Sequence, residues 1–148
     1  MNTLMRPVLR RVAIAVMVTF VVVTAIGQGL AEPDPASVVR IELREYAFNP
    51  AQVTLKAGRA VTLKVVNTGR GTHMFASQYL GSQDLEIEGA DMEVDAPNGV
   101  KYVKLQSGKS AEIKFTPAQT GTFDFSCDVK TGGRTHRDRG MKGQLIVN

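Results

Sequence analysis

Gly121-Thr122-Phe123-Asp124-Phe125-Ser126-Cys127 and, across one loop, Met141-Lys142-Gly143-Gln144-Leu145-Ile146-Val147 run almost to the end of the chain. In the first segment Phe123, Phe125 and Cys127 share one parity, while Thr122, Asp124 and Ser126 share the other. A period of two marks a half-buried strand. The cysteine therefore stands at a strand end on the core side. The loop behind it carries His136 and returns Met141 directly before a closing strand over residues 143–147.

Working outward, the same period recurs. Val39, Ile41 and Leu43 alternate with Arg40, Glu42 and Arg44, and Tyr46 and Phe48 extend that strand to an Asn49-Pro50 turn. Val53 and Leu55 form a second inward set, and Val61, Leu63 and Val65 a third, with Ala57-Gly58-Arg59 turning between them. His73-Met74-Phe75-Ala76 begins another strand after the loop Asn67-Thr68-Gly69-Arg70-Gly71. Tyr102, Val103 and Leu105, then Ala111, Ile113 and Phe115, complete the series. Residues 80–99 are the least regular, with six acids and no base between Asp84 and Asp95. They read as a solvated surface excursion; a hard-metal site there lacks calcium-loop spacing. About eight short strands separated by turn signals predict an all-β Greek-key sandwich.

The N-terminus reads differently. Arg6, Arg10 and Arg11 precede an apolar run from Val12 to Ile26, then small residues through Ala31. That is the layout of a secretory signal over residues 1–31; the rival is an uncleaved anchor, since the run is near the lower limit for a membrane span. Residues 32–37 read as a linker and 38–148 as one domain. Removing the leader takes away three arginines and no acids, so the formal charge drops from +4 to +1. A nucleic-acid partner is therefore not implied. The expected location is the periplasm or an equivalent exported space, with membrane contact only if the N-terminal segment is retained.

An exported chain usually pairs its cysteines, and this one has a single cysteine. That signals an intermolecular bridge, a reactive thiol or a metal ligand. A free cysteine is also commonly a small buried hydrophobe, and a loop histidine such as His73 is commonly a surface residue. Thiolate and imidazole together suit zinc or copper, and a thioether shifts the choice to copper. Two imidazoles and a thiolate in a trigonal set, with a weak axial methionine, are the donors of a blue-copper electron-transfer site. His73 and the Cys127–Met141 loop both lie at strand ends, so one pole of a sandwich can bring them together.

The chain resembles a cupredoxin of the plastocyanin and azurin type. The resemblance is carried by Glu45-Tyr46-Ala47-Phe48-Asn49-Pro50, by Ala57-Gly58, and by Asn67-x-Gly69 followed by His73-Met74-Phe75. It is carried most specifically by Gly121 to Cys127 with His136-x-x-x-Gly140-Met141-x-Gly143. It covers essentially the whole of residues 38–148 and implies one type 1 copper ion held by His73, Cys127, His136 and Met141. It further implies a one-electron carrier that meets a c-type cytochrome or a reductase at the edge of the second histidine. Asn67 and the backbone near His73 are expected to hydrogen-bond around the site and fix the thiolate loop.

One departure is the interval of eight residues between Cys127 and His136, longer than is usual in that family. Thr131-Gly132-Gly133 is expected to carry the extra length outward as a tight-turned flap. The alternative function, copper binding for tolerance or delivery, draws on that longer loop. Lys130, Arg134, Arg137, Arg139 and Lys142 crowd His136 against only Asp128 and Asp138, which predicts a basic docking face for an acidic partner. No orienting residue or oxyanion motif accompanies a Cys–His pair, and two histidines cannot supply a trinuclear copper cluster. The chain is therefore expected not to be an enzyme.

Overall fold

The computed structural model describes residues 36–148. The expected leader, 1–31, and linker residues 32–35 lie outside the described residues. The strands are β1 Ser37–Arg44, β2 Ala47–Asn49, β3 Gln52–Leu55, β4 Val61–Asn67, β5 His73–Ala76, β6 Leu85–Gly89, β7 Met92–Asp95, β8 Tyr102–Leu105, β9 Ser110–Phe115, β10 Gly121–Ser126, β11 Lys130–Thr131, β12 Arg134–Thr135 and β13 Lys142–Val147. One sheet has the order β2-β1-β4-β9-β6, the other β3-β13-β10-β5-β8-β7, and β11-β12 is a separate hairpin. The pairs β1–β4 and β3–β13 are parallel.

The inward parities are those of the sequence pattern. Ile41, Leu43, Leu63, Val65 and Ile113 of the first sheet face Phe75, Val103, Leu105, Phe125 and Leu145 of the second, all fully buried. Three rings lock the middle of the core. Phe125 meets Phe48 edge-on at 4.9 Å and Phe75 at 4.9 Å between centroids.

Two segments differ from the sequence reading. Tyr46 and Phe48 do not prolong β1. The chain reverses through Glu45 and Tyr46, Arg44 pairs with Ala47, and β2 runs back antiparallel. Tyr46 takes φ 59° to make the turn, a conformation uncommon outside glycine. No glycine marks the turn, so alternation alone hides it. The second difference is the acidic excursion, which contains two strands. β6 pairs with β9 at the edge of the first sheet, and β7 with β8 at the edge of the second. The acids do face solvent as expected, but against cations of neighbouring strands or turns: Glu88 on Lys114 at 2.8 Å, Glu93 on Lys104 at 2.9 Å and Asp91 on Lys109 at 2.6 Å. Such exposed pairs stabilise by only about 0–1 kcal/mol each. Their charges blunt both sheet edges against pairing with other chains.

Candidate metal centre

β4 ends in Asn67, which is fully buried although polar. Its amide is satisfied on all sides. Nδ2 donates to the carbonyls of Gly71 at 2.8 Å and Leu105 at 2.9 Å, and Oδ1 accepts the Gly69 N–H at 3.0 Å. These bonds fix the loop that delivers His73 to the start of β5. Asn67 was expected to help fix the thiolate loop; its bonds instead go to its own loop and to β8. The backbone beside His73 does reach the sulfur, because the Met74 N–H donates to Cys127 Sγ at 3.3 Å.

The loop after β10 is held by backbone bonds. Cys127 N–H donates to Met141 O at 3.2 Å, Met141 N–H to His136 O at 2.9 Å, Arg137 N–H to Cys127 O at 2.8 Å and His136 N–H to Val129 O at 2.8 Å. The extra length leaves as the hairpin β11–β12, with Thr131 paired to Arg134. Its two-residue turn is Gly132-Gly133, at φ 60° and 77°. Two successive positive values suit a hairpin turn that matches strand twist, and they require glycine-like freedom. The flap expected from the sequence is therefore present. The guanidinium of Arg137 bridges Ser126 Oγ and Asp128, the two neighbours of Cys127.

These elements bring His73, Cys127 and His136 together. One donor atom from each lies within 4.8 Å of the others, and all three residues are buried. His73 Nδ1 is 3.1 Å from His136 Nδ1, and Cys127 Sγ is 3.5 Å from the same His136 atom. Met141 is fully buried in the adjoining core. Donors about 2.0–2.3 Å from one ion stand roughly 3–4 Å from each other, so the spacing fits a single metal. Among the described residues this is the one such grouping of His, Cys, Asp or Glu found.

His136 is covered on its outer side. Thr131 Oγ1 lies 2.9 Å from its Nε2. The Tyr46 ring stands edge-on to the imidazole at 5.1 Å, with the Arg139 guanidinium 5.1 Å over the Tyr46 ring. The histidine is only 4% exposed. Neither Glu45 nor Tyr46 was singled out individually from the sequence. Alternation puts Tyr46 on a prolonged β1, and no turn residue marks the reversal that sets its ring against His136.

Burial sets the ionisation of the donors. It lowers both histidines below the ordinary 6.5, helped at His73 by the facing His136 and at His136 by Arg139. It raises the Cys127 thiol above 9.0. Neutral imidazoles are ready to donate lone pairs, and the thiol releases its proton when a cation arrives. For the metal-free protein the signs are definite. Below pH 6.5 the unfolded chain takes up protons that the folded histidines refuse, so stability falls as pH drops towards their lowered values. Above pH 9.0 the unfolded thiol ionises while the folded one does not, so stability falls again. Thermal midpoints of the metal-free protein should form a plateau between about pH 6.5 and 9.0. A profile still climbing across both limits contradicts this.

The sequence model of the cupredoxin-like domain matches residues 12–147. The chain belongs to the cupredoxin-like family. Its cofactor is copper, since two imidazoles with a thiolate are donors that copper takes in such folds and are the groups assembled here. Among relatives, the copper-resistant cuproprotein CopI of Rubrivivax gelatinosus is 30% identical over 105 residues, covering 68% of this cupredoxin and 59% of that protein. This cupredoxin thus spans under two thirds of that relative's length. The copper-resistant cuproprotein CopI of Pseudomonas aeruginosa is 25% identical, over 82% and 83% of the two chains. The dithionite-reduced auracyanin of Roseiflexus castenholzii has the same fold, with a TM-score of 0.56 at 21% identity, over 76% of this chain and 98% of that one.

Proposed function

We propose that this cupredoxin is an exported copper-binding protein that holds one copper ion for tolerance or delivery. His73, Cys127 and His136 are the equatorial donors and Met141 the fourth. The observation that carries the choice is the covered outer edge of His136, at 4% exposure with its Nε2 on Thr131. A carrier in this family exchanges electrons through that edge, and here a hairpin and a tyrosine stand over it. The two relatives described as copper-resistant cuproproteins support the same reading. Export is supported by the leader-like pattern of residues 1–31 and by the unpaired Cys127, which a metal protects.

Bound copper would supply a Cu(I)/Cu(II) couple. The chain's own part is to keep the donors dry and in place. The burial of Cys127 and Met141 excludes water, and the Met74 N–H steadies the sulfur. The second reading, a one-electron carrier, is favoured by one feature: the donors already converge without rearrangement, which keeps reorganisation small. Its partner would be a c-type cytochrome or a reductase with an acidic docking surface, facing Lys130 and Lys142.

One experiment separates the two. Cu(II) is added to the purified protein, and the visible thiolate-to-copper band and electron exchange with an acidic cytochrome are recorded as salt is varied. The expected result is an intense band at one equivalent, with slow exchange indifferent to salt. Fast exchange that falls steeply with added salt assigns the carrier role instead.

A further inference from the structure

His73 Nε2 is a buried nitrogen with no hydrogen-bond partner, and the one such side-chain atom found among the described residues. An orphaned buried donor is costly and calls for an explanation. Its other nitrogen, Nδ1, faces His136 Nδ1 and the donor cluster. A metal held at Nδ1 leaves the proton on Nε2, and ligating histidines almost always give that N–H to an acceptor that orients the ring.

The space beside Nε2 identifies the acceptor. A Cβ built on Gly69 would stand 2.7 Å from His73 Nε2 and 3.1 Å from Glu45 Oε1. The two atoms therefore line the same small gap. Gly69 is not among the residues with positive φ, so its backbone does not demand a glycine; the gap does. Glu45 sits in the β1–β2 turn beside Tyr46, and its Oε1 accepts the Arg70 N–H from the loop that carries Gly69. The carboxylate is thus placed on the same gap as the imidazole nitrogen.

We propose that the Glu45 carboxylate is the acceptor for the outer N–H of His73, across the gap that Gly69 leaves open, and that it tunes the copper site through that ring. The contact closes by a small rotation of the carboxylate or through one bridging water. Glu45 is a positioning residue: it touches the imidazole and not the metal. A negative acceptor makes His73 a stronger donor and favours Cu(II) over Cu(I). The β1–β2 turn then serves both histidines, with Glu45 behind His73 and Tyr46 against His136.

This inference rests on the copper-site reading above. Its test is the copper-loaded full chain, wild type against Glu45→Gln and Gly69→Ala. Glutamine keeps an oxygen for the Arg70 N–H, so the loop stays held while the charge is removed. Outer-shell changes of this kind cost about 10–100-fold in metal affinity. In Glu45→Gln the Cu(II) affinity should fall about tenfold more than the Cu(I) affinity, which for one electron is a potential raised by about 59 mV. In the Cu(I) form, the His73 Nε2 proton should be a downfield, slowly exchanging NMR signal that moves upfield and exchanges faster in Glu45→Gln. Gly69→Ala should shift the potential in the same direction by wedging the two groups apart. A Glu45→Gln protein with lower stability but an unmoved potential and proton signal overturns the proposal, leaving Glu45 a loop brace only. A wild type with no thiolate-to-copper band overturns the copper-site reading as well. A wild type with the band and an inert Glu45→Gln overturns this inference alone.

Discussion

The Cys127→Ala protein is expected to fold normally and lose the visible copper band entirely. Cys127 is fully buried at the end of β10, and a buried thiol packs as a small hydrophobe. Replacing it with a methyl group leaves the backbone bonds of the loop intact, because Cys127 uses its N–H and carbonyl for them. Its metal chemistry has no substitute. Among the described residues the thiolate is the one anionic donor in the cluster, since the other two donors are imidazoles. Without it, copper charge would sit in a largely apolar pole with no anionic group bound to the metal. Copper affinity should fall by more than the roughly 10–100-fold that outer-shell partners are worth. The check is an absorption and affinity titration of both proteins with Cu(II), alongside far-UV spectra to confirm folding. A Cys127→Ala protein that keeps the band excludes the sulfur as a donor, and the assignment of the centre fails.

The second large effect is on stability. Phe125→Ala should cost about 3–5 kcal/mol, the usual range for removing a buried phenyl ring. Phe125 is 1% exposed and carries the contacts that join the ring cluster, to Phe48 and to Phe75. Both neighbours sit on regular strands, so the cavity cannot collapse cheaply. Each kcal/mol lowers the melting temperature of a small domain by about 4–8 °C. Because Phe125 lies two residues before Cys127 on the same face, copper should recover part of the loss by mass action. Denaturant unfolding with and without copper reads both effects. A loss below about 1 kcal/mol would mean that the core repacks around the gap.

Much of this arrangement is legible in the residue order. Alternation in 61–65, 111–115 and 121–127 specifies strands and their inward faces, because the side-chain period of a strand is two. The parity of Cys127 with Phe123 and Phe125 places its sulfur inward, and Cys127 is fully buried. Gly132-Gly133 marks its turn, because few other residues tolerate two successive positive φ values. By contrast, β6 and β7 were obscured by their acids. Glu86, Glu88, Glu93 and Asp95 look like a solvated run until Lys114 and Lys104 are seen beside some of them. The β1–β2 reversal at Glu45-Tyr46 carries no turn residue and is imposed by packing.

By itself, then, the sequence determined the all-β class, the inward residues and the donor types: one thiol, two imidazoles and a thioether at strand ends. Those depend on local periodicity and on side-chain chemistry, which a linear chain states directly. Tertiary structure alone decided that His73 Nδ1 stands 3.1 Å from His136 Nδ1, that Thr131 and Tyr46 close over His136, and that Glu45 and His73 Nε2 share the gap at Gly69. These contacts join residues up to 90 positions apart, Tyr46 to His136. They depend on how two sheets pack and where their loops meet, and no local pattern encodes that.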